Sequence, residues 1–250
     1  MKQAWLALAL TAFALQAQAL GRLAEVQIID RDSGTTLATY YHRGEYWVAG
    51  APGARYAIAI RNAGGERLLA VTAVDGVNVI SGDTAAWDQT GYVFGASQRY
   101  EIAGWRKSNA EIAAFEFTAA PHSYATRTGR PGNVGVIGVA LFRERPQPIA
   151  YEAPLAAAPA AAADASEARA ERAPAPTARL GTGHGARESS VVEDTEFERL
   201  HDRPDEIIRI RYDSYANLLA AGIIRARPPR LPQPDAFPGS AGFVPDPPPG

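Results

Sequence analysis

Residue types able to do chemistry are sparse in this chain and poorly clustered. There is no cysteine, and the four histidines, His42, His122, His184 and His201, show no paired spacing. His184 sits in Gly181-Thr182-Gly183-His184-Gly185 with Glu188 close behind, an arrangement that offers an acid/base pair for hydrolysis or part of a metal site. A catalytic zinc needs three protein ligands in register, and the glycines suit a hinge that lets the chain fold back, which is the preferred reading. Asp30, Asp32, Ser33 and Gly34 alternate oxygen donors as a calcium loop does, but the closing glutamate is missing and a hairpin turn uses the same residues. Trp105, Arg106 and Lys107, with Tyr92 and Trp87, form the candidate ligand-binding set, joined by Trp47 and Tyr124. Aromatic faces stack on sugars and cations pair with carboxylates, so the ligand would be a glycan or a peptidoglycan stem; large aromatics at strand ends also serve as core plugs. The hydroxyls and arginines from Ser123 to Arg130, with Gly132 and Gly135, offer an anion cradle but no helix N-terminus to complete it. No GxSxG, HExxH, P-loop or dinucleotide fingerprint occurs. No catalytic residue, metal ligand or cofactor is assigned, and the chain reads as non-enzymatic.

The elements that would position these groups are short strands. Apolar and β-branched residues are densest from Arg67 to Gly82, where Asp75-Gly76 gives the sharpest turn signal and predicts a buried hairpin. Upstream, Ala24 to Ile29 and Thr36 to Tyr41 predict a first hairpin about the Asp30 to Gly34 turn. Glu45 to Val48 follows, then Arg55 to Arg61, whose alternation places Tyr56, Ile58 and Ile60 on one face. Downstream, Gly91 to Phe94, Gln98 to Ile102 and Glu111 to Thr118 are further strands, and Val134 to Phe142 is apolar enough to be a central one. Many short strands with regular turns predict a mainly β fold, a β-sandwich of jelly-roll or Greek-key type.

Composition bounds the remainder. The 250 residues carry a formal net charge of -2 and 46% hydrophobic residues, which supports a folded core and speaks against nucleic acid as a partner. Residues 1–19 read as a Sec-type signal peptide with Ala17-Gln18-Ala19 as cleavage site, giving a periplasmic or secreted protein that does not span the membrane after cleavage. Residues 20–145 form the sandwich domain, and 146–180 are an Ala/Pro-rich linker with too few large apolar groups to order. Residues 181–227 are a docking tail with a strand (Ile207, Ile208, Ile210, Tyr212) and a short helix capped by Asp213 or Ser214 and carrying Leu218 and Leu219. One strand and one helix cannot close a core, so the tail is expected to add its strand to a sheet edge of its own sandwich, a second copy or an envelope protein. Residues 228–250 are Pro-rich, polyproline-like and disordered.

The segments Val74–Gly82, Gln89–Val93, Ile102–Ser108, Ala113–Phe117, Ser123–Gly129 and Asn133–Phe142 resemble a group of exported bacterial proteins of unknown function. GTGHG (Gly181–Gly185) and YDSYANL (Tyr212–Leu218) resemble that group's C-terminal signature. The resemblance implies export and supplies no activity. The expected function is a non-enzymatic interaction or structural module of the cell envelope, with a carbohydrate or peptidoglycan binding domain and a hydrolase as the alternatives.

Overall fold

A computed structural model describes residues 19–146 and 179–225. Residues 1–18, which cover all but the last residue of the expected signal peptide, most of the Ala/Pro-rich segment and the Pro-rich end lie outside the described residues. In chain order the elements are β1 (Ala24–Asp30), β2 (Thr39–His42), β3 (Glu45–Gly50), β4 (Arg55–Asn62), β5 (Leu68–Val74), β6 (Val77–Asn78), β7 (Tyr92–Phe94), β8 (Arg99–Ile102), β9 (Gly104–Arg106) and β10 (Glu111–Ala119). They continue with α1 (Tyr124–Arg127), β11 (Val136–Arg143), β12 (Leu180–Ser189), β13 (Glu206–Ser214) and α2 (Tyr215–Ala220).

These strands form the β-sandwich that their alternation predicts. The first sheet runs β1-β4-β10-β12, with β8 along part of β4 and β9 along part of β10; the second runs β2-β3-β13-β11-β5-β6, with β7 also on β5. One buried cluster fills the space between them, taking Tyr56, Ile58 and Ile60 from β4, Phe115 and Phe117 from β10, and Ile137, Val139 and Leu141 from β11. Arg43-Gly44 and Asp75-Gly76 close two-residue hairpins with φ of 49°, 85°, 53° and 75°. Positive φ at both central residues is what such a turn requires, so the Asp-Gly hairpin forms as expected. Among the described residues no helix is long and apolar enough to cross a membrane.

Three elements differ from the pattern reading. The first hairpin is cut short: its turn closes with Asp30 N–H donating to Thr35 O and Leu37 N–H to Ile28 O around the antiparallel Ile29–Thr36 bridge, but β1 pairs over its length with β4, Val26 opposite Ile60 and Ile28 opposite Ile58. The apolar alternation of β4 matches that of β1 better than the polar Thr36–Tyr41 run does, and β2 joins the other sheet. The Gly181–Gly185 stretch is no hinge but the first half of β12, an edge strand paired with β10 from Ala119–Leu180 to Glu111–Ser189. Its glycines allow close approach, since a Cβ on Gly181 would lie 2.6 Å from Ser123 Cβ and 2.7 Å from Val134 Cγ1. Gly181→Ala is therefore expected to destabilise the fold by about 1–3 kcal/mol through overpacking, read as a lower urea midpoint with unchanged slope.

The third difference concerns the tail strand. β13 does not add to an edge; it lies inside the second sheet, parallel to β3 (Ile210 opposite Tyr46) and antiparallel to β11 (Ile210 opposite Ile137). Ile208, Ile210 and Tyr212 alternate inward, and Leu180, Ile208, Ile210 and Tyr212 belong to the same buried cluster as Ile58 and Phe115. Ile207 and Leu219 face outward at 37% and 36% exposure, whereas Leu218 is buried and Ser214 Oγ caps α2 by accepting from Asn217 N–H. A strand with one face in the core and both edges paired cannot be an accessory.

Candidate functional site

Residues 190–200 join β12 to the outer face of the second sheet. Ser190 and Val192 N–H donate to the carbonyls of Ala110 and Asn109, Arg145 N–H to that of Glu198, and Leu200 N–H to that of Arg143. Phe197 packs on the outward apolar cluster of Leu69, Val71, Ala140 and Phe142, and the Arg199 guanidinium lies 4.5 Å from the Phe142 ring centroid. Between this strap and β7–β8 a groove of about 450 Å3 remains, lined by Ile80, Tyr92, Phe94, Tyr100, Arg106 and Val192 among others.

Arg106 organises the groove. Its Nε donates to Tyr92 Oη at 3.2 Å; one terminal nitrogen donates to Ser190 O at 2.5 Å and Ser108 O at 3.4 Å, the other to Tyr92 Oη at 3.1 Å and Ser190 Oγ at 3.2 Å. Tyr100 Oη lies 3.4 Å from that last nitrogen and 3.0 Å from Ser190 Oγ. Every acceptor is neutral, and among the described residues no carboxylate pairs with this guanidinium. Tyr92 receives two N–H groups and keeps its own hydroxyl hydrogen; burial holds that hydroxyl above its usual range against the pull of Arg106, so it remains a donor.

The proposed ligand-binding set is thus brought together only in part. Tyr92 and Arg106 meet in the groove. Trp105 is 2% exposed, edge-on to Phe115 with its Nε1 donating to Gly183 O at 3.0 Å, so it is a core plug and offers no stacking face. Lys107 leaves the groove for the Tyr124 ring, 5.8 Å from its centroid. Trp87 is half exposed beside Asp88 and Asp202. Tyr100 and Ser190 belong to the site but carried no distinguishing sequence signal, a lone tyrosine in a strand and a serine in a polar stretch.

The acid/base pair is not assembled. The His184 ring lies tilted against that of Tyr124, 5.9 Å between centroids, and burial and Lys107 keep its imidazole below the usual range. Glu188 is bound by Arg31 at 2.7 Å and Arg55 at 3.3 Å. The calcium-like segment closes on itself: Asp30 Oδ1 accepts from Asp32 and Ser33 N–H, and Asp32 pairs with Arg55. In the anion-cradle segment Ser123 Oγ caps α1, and Arg130 donates to Gly82 O.

A second polar assembly lies in the core. Asp75, 1% exposed, accepts from Tyr212 Oη at 2.5 Å and Gly135 N–H at 2.9 Å on one oxygen, and from Thr182 N–H at 2.8 Å on the other. Thr182 Oγ1 lies 2.7 Å from Tyr212 Oη and 2.6 Å from Tyr56 Oη. Because Tyr212 gives its one hydrogen to Asp75, Thr182 must donate to Tyr212 and Tyr56 to Thr182. The directed chain Tyr56, Thr182, Tyr212, Asp75 ties β4, β12 and β13 to the Asp-Gly turn. The buried carboxylate escaped the sequence reading because aspartate before glycine is already explained by turn geometry.

Comparison with known protein families, curated proteins and solved structures finds no match for this chain.

Proposed function

We propose that the protein is an exported, non-enzymatic interaction module of the cell envelope, and that it binds its partner in the groove between β7–β8 and residues 190–195. The observation that supports this reading most is Arg106, a half-buried cation in a groove of small-ligand size that donates to neutral oxygens and forms no ion pair with a carboxylate among the described residues. The leader-like start of the chain supports the location.

The test is site-specific photocrosslinking with benzoylphenylalanine in the full chain. Position 191 is suited, because Val191 lines the groove and is 72% exposed; Tyr41, 67% exposed on the opposite edge strand β2, is the control. With envelope proteins and isolated peptidoglycan as targets, the expected result is an adduct from position 191 and none from position 41. Equal labelling from both positions, or none from 191, contradicts the proposal.

A further inference from the structure

We infer that the groove receives the C-terminal end of an extended peptide, its carboxylate set against Arg106 and Tyr92 and its backbone running along the open edge of β7. This rests on the groove being the binding face.

The strand edge supplies the first argument. β7 is paired with β5 through Leu68–Phe94, Leu69–Val93 and Ala70–Tyr92, and with no other strand among the described residues. All three of its residues line the groove. An unpaired edge facing a groove is the template for addition of a strand, and main-chain hydrogen bonds would hold the peptide whatever its sequence.

Charge supplies the second. Arg106 has all five of its N–H groups directed at neutral oxygens, so a bound anion would meet the Tyr92 hydroxyl first, with the cation behind it. A single carboxylate fits that arrangement. Glu193 and Asp194 also line the groove, so repulsion grows with each negative charge on the ligand and a phosphate or polyanion is disfavoured relative to a single carboxylate. Ile80, Phe94 and Val192 give an apolar side chain next to the carboxylate somewhere to lie. A neutral glycan has no use for the cation, and an amidated peptide loses it.

The experiment titrates the full chain with acetyl-Ala-Ala-Leu as the free acid, with the same peptide as its C-terminal amide, and with chitotriose. The free acid is expected to bind at least about tenfold more tightly than the amide, and Tyr92→Phe is expected to bring that ratio close to one. Thr90→Glu, at an exposed groove residue, places a competing carboxylate there and is expected to weaken the acid and leave the amide nearly unchanged; it serves should Tyr92→Phe fail to fold. Equal affinity for acid and amide, a ratio that survives both substitutions, or saturation by chitotriose but not by the peptide would overturn the inference. Photocrosslinking from position 191 reads occupancy of the groove by any partner, so it separates a wrong ligand class from a wrong site.

Discussion

A chain ending at residue 146 is expected to yield no cooperatively folded protein. Truncation there removes β12 from one sheet and β13 from the interior of the other, leaving β3 and β11 without the strand between them. It also removes the buried side chains Leu180, Ile208, Ile210, Tyr212, Leu218 and Ile224. At about 1.5–3 kcal/mol each, their burial contributes roughly 9–18 kcal/mol before any hydrogen bond is counted. That is as large as the whole net stability of an ordinary domain, about 5–15 kcal/mol. Near-ultraviolet circular dichroism and urea unfolding check it: the full chain should show a single sharp transition and the truncated one none. A sharp transition in the truncated chain would mean that residues 20–145 close a core alone.

Asp75→Ala is expected to cost about 4–11 kcal/mol. It leaves the Tyr212 hydroxyl and the N–H groups of Gly135 and Thr182 buried without their acceptor, at about 1–3 kcal/mol each, and places alanine at φ 53°, where the left-handed region adds about 1–2 kcal/mol. Asp75→Asn keeps the shape and allows the carboxylate itself to be read through pH. Burial raises the Asp75 carboxyl above its usual value near 3.8, outweighing the donors that pull it down. A folded-state value above the unfolded one contributes stability that is fully present below the unfolded value and is lost as pH rises through the folded one. The wild type should therefore gain on Asp75→Asn as pH falls from neutral through the raised value toward 3.8. Glu188, held low by Arg31 and then Arg55, loses its contribution in acid in both proteins and cancels. Urea midpoints of the pair at several pH values check the sign; a gap that narrows in acid contradicts it.

The sandwich was legible because its strands keep a period of two: Tyr56, Ile58 and Ile60 turn inward as their spacing predicts, and the Asp-Gly hairpin takes the φ values its residues favour. Pairing was less legible, because it depends on which apolar faces match over distance, and β1 found β4 across the intervening β2 and β3. β12 was invisible because its glycines lower strand propensity; tertiary contact with Ser123, Val134 and Ala114 selects them. Of the site, the Arg106 neighbourhood could be seen as a cluster of cationic and aromatic residues. Its true membership could not, since Trp105 and Arg106, adjacent in β9, point to opposite fates, one into the core and one to the groove. Tyr56, Asp75, Thr182 and Tyr212 stand far apart in sequence, and only the fold makes them one network.

Whether the two halves of the chain share one core can be read most directly by native-state hydrogen exchange of the intact protein. The amides of β13, from Ile208 to Tyr212, should exchange with the same opening free energy as those of β5 and β11, and follow global unfolding as urea is added. A lower opening free energy confined to β12 and β13, with β5 and β11 still protected, would contradict a shared core and return residues 180–225 to the status of an attached tail.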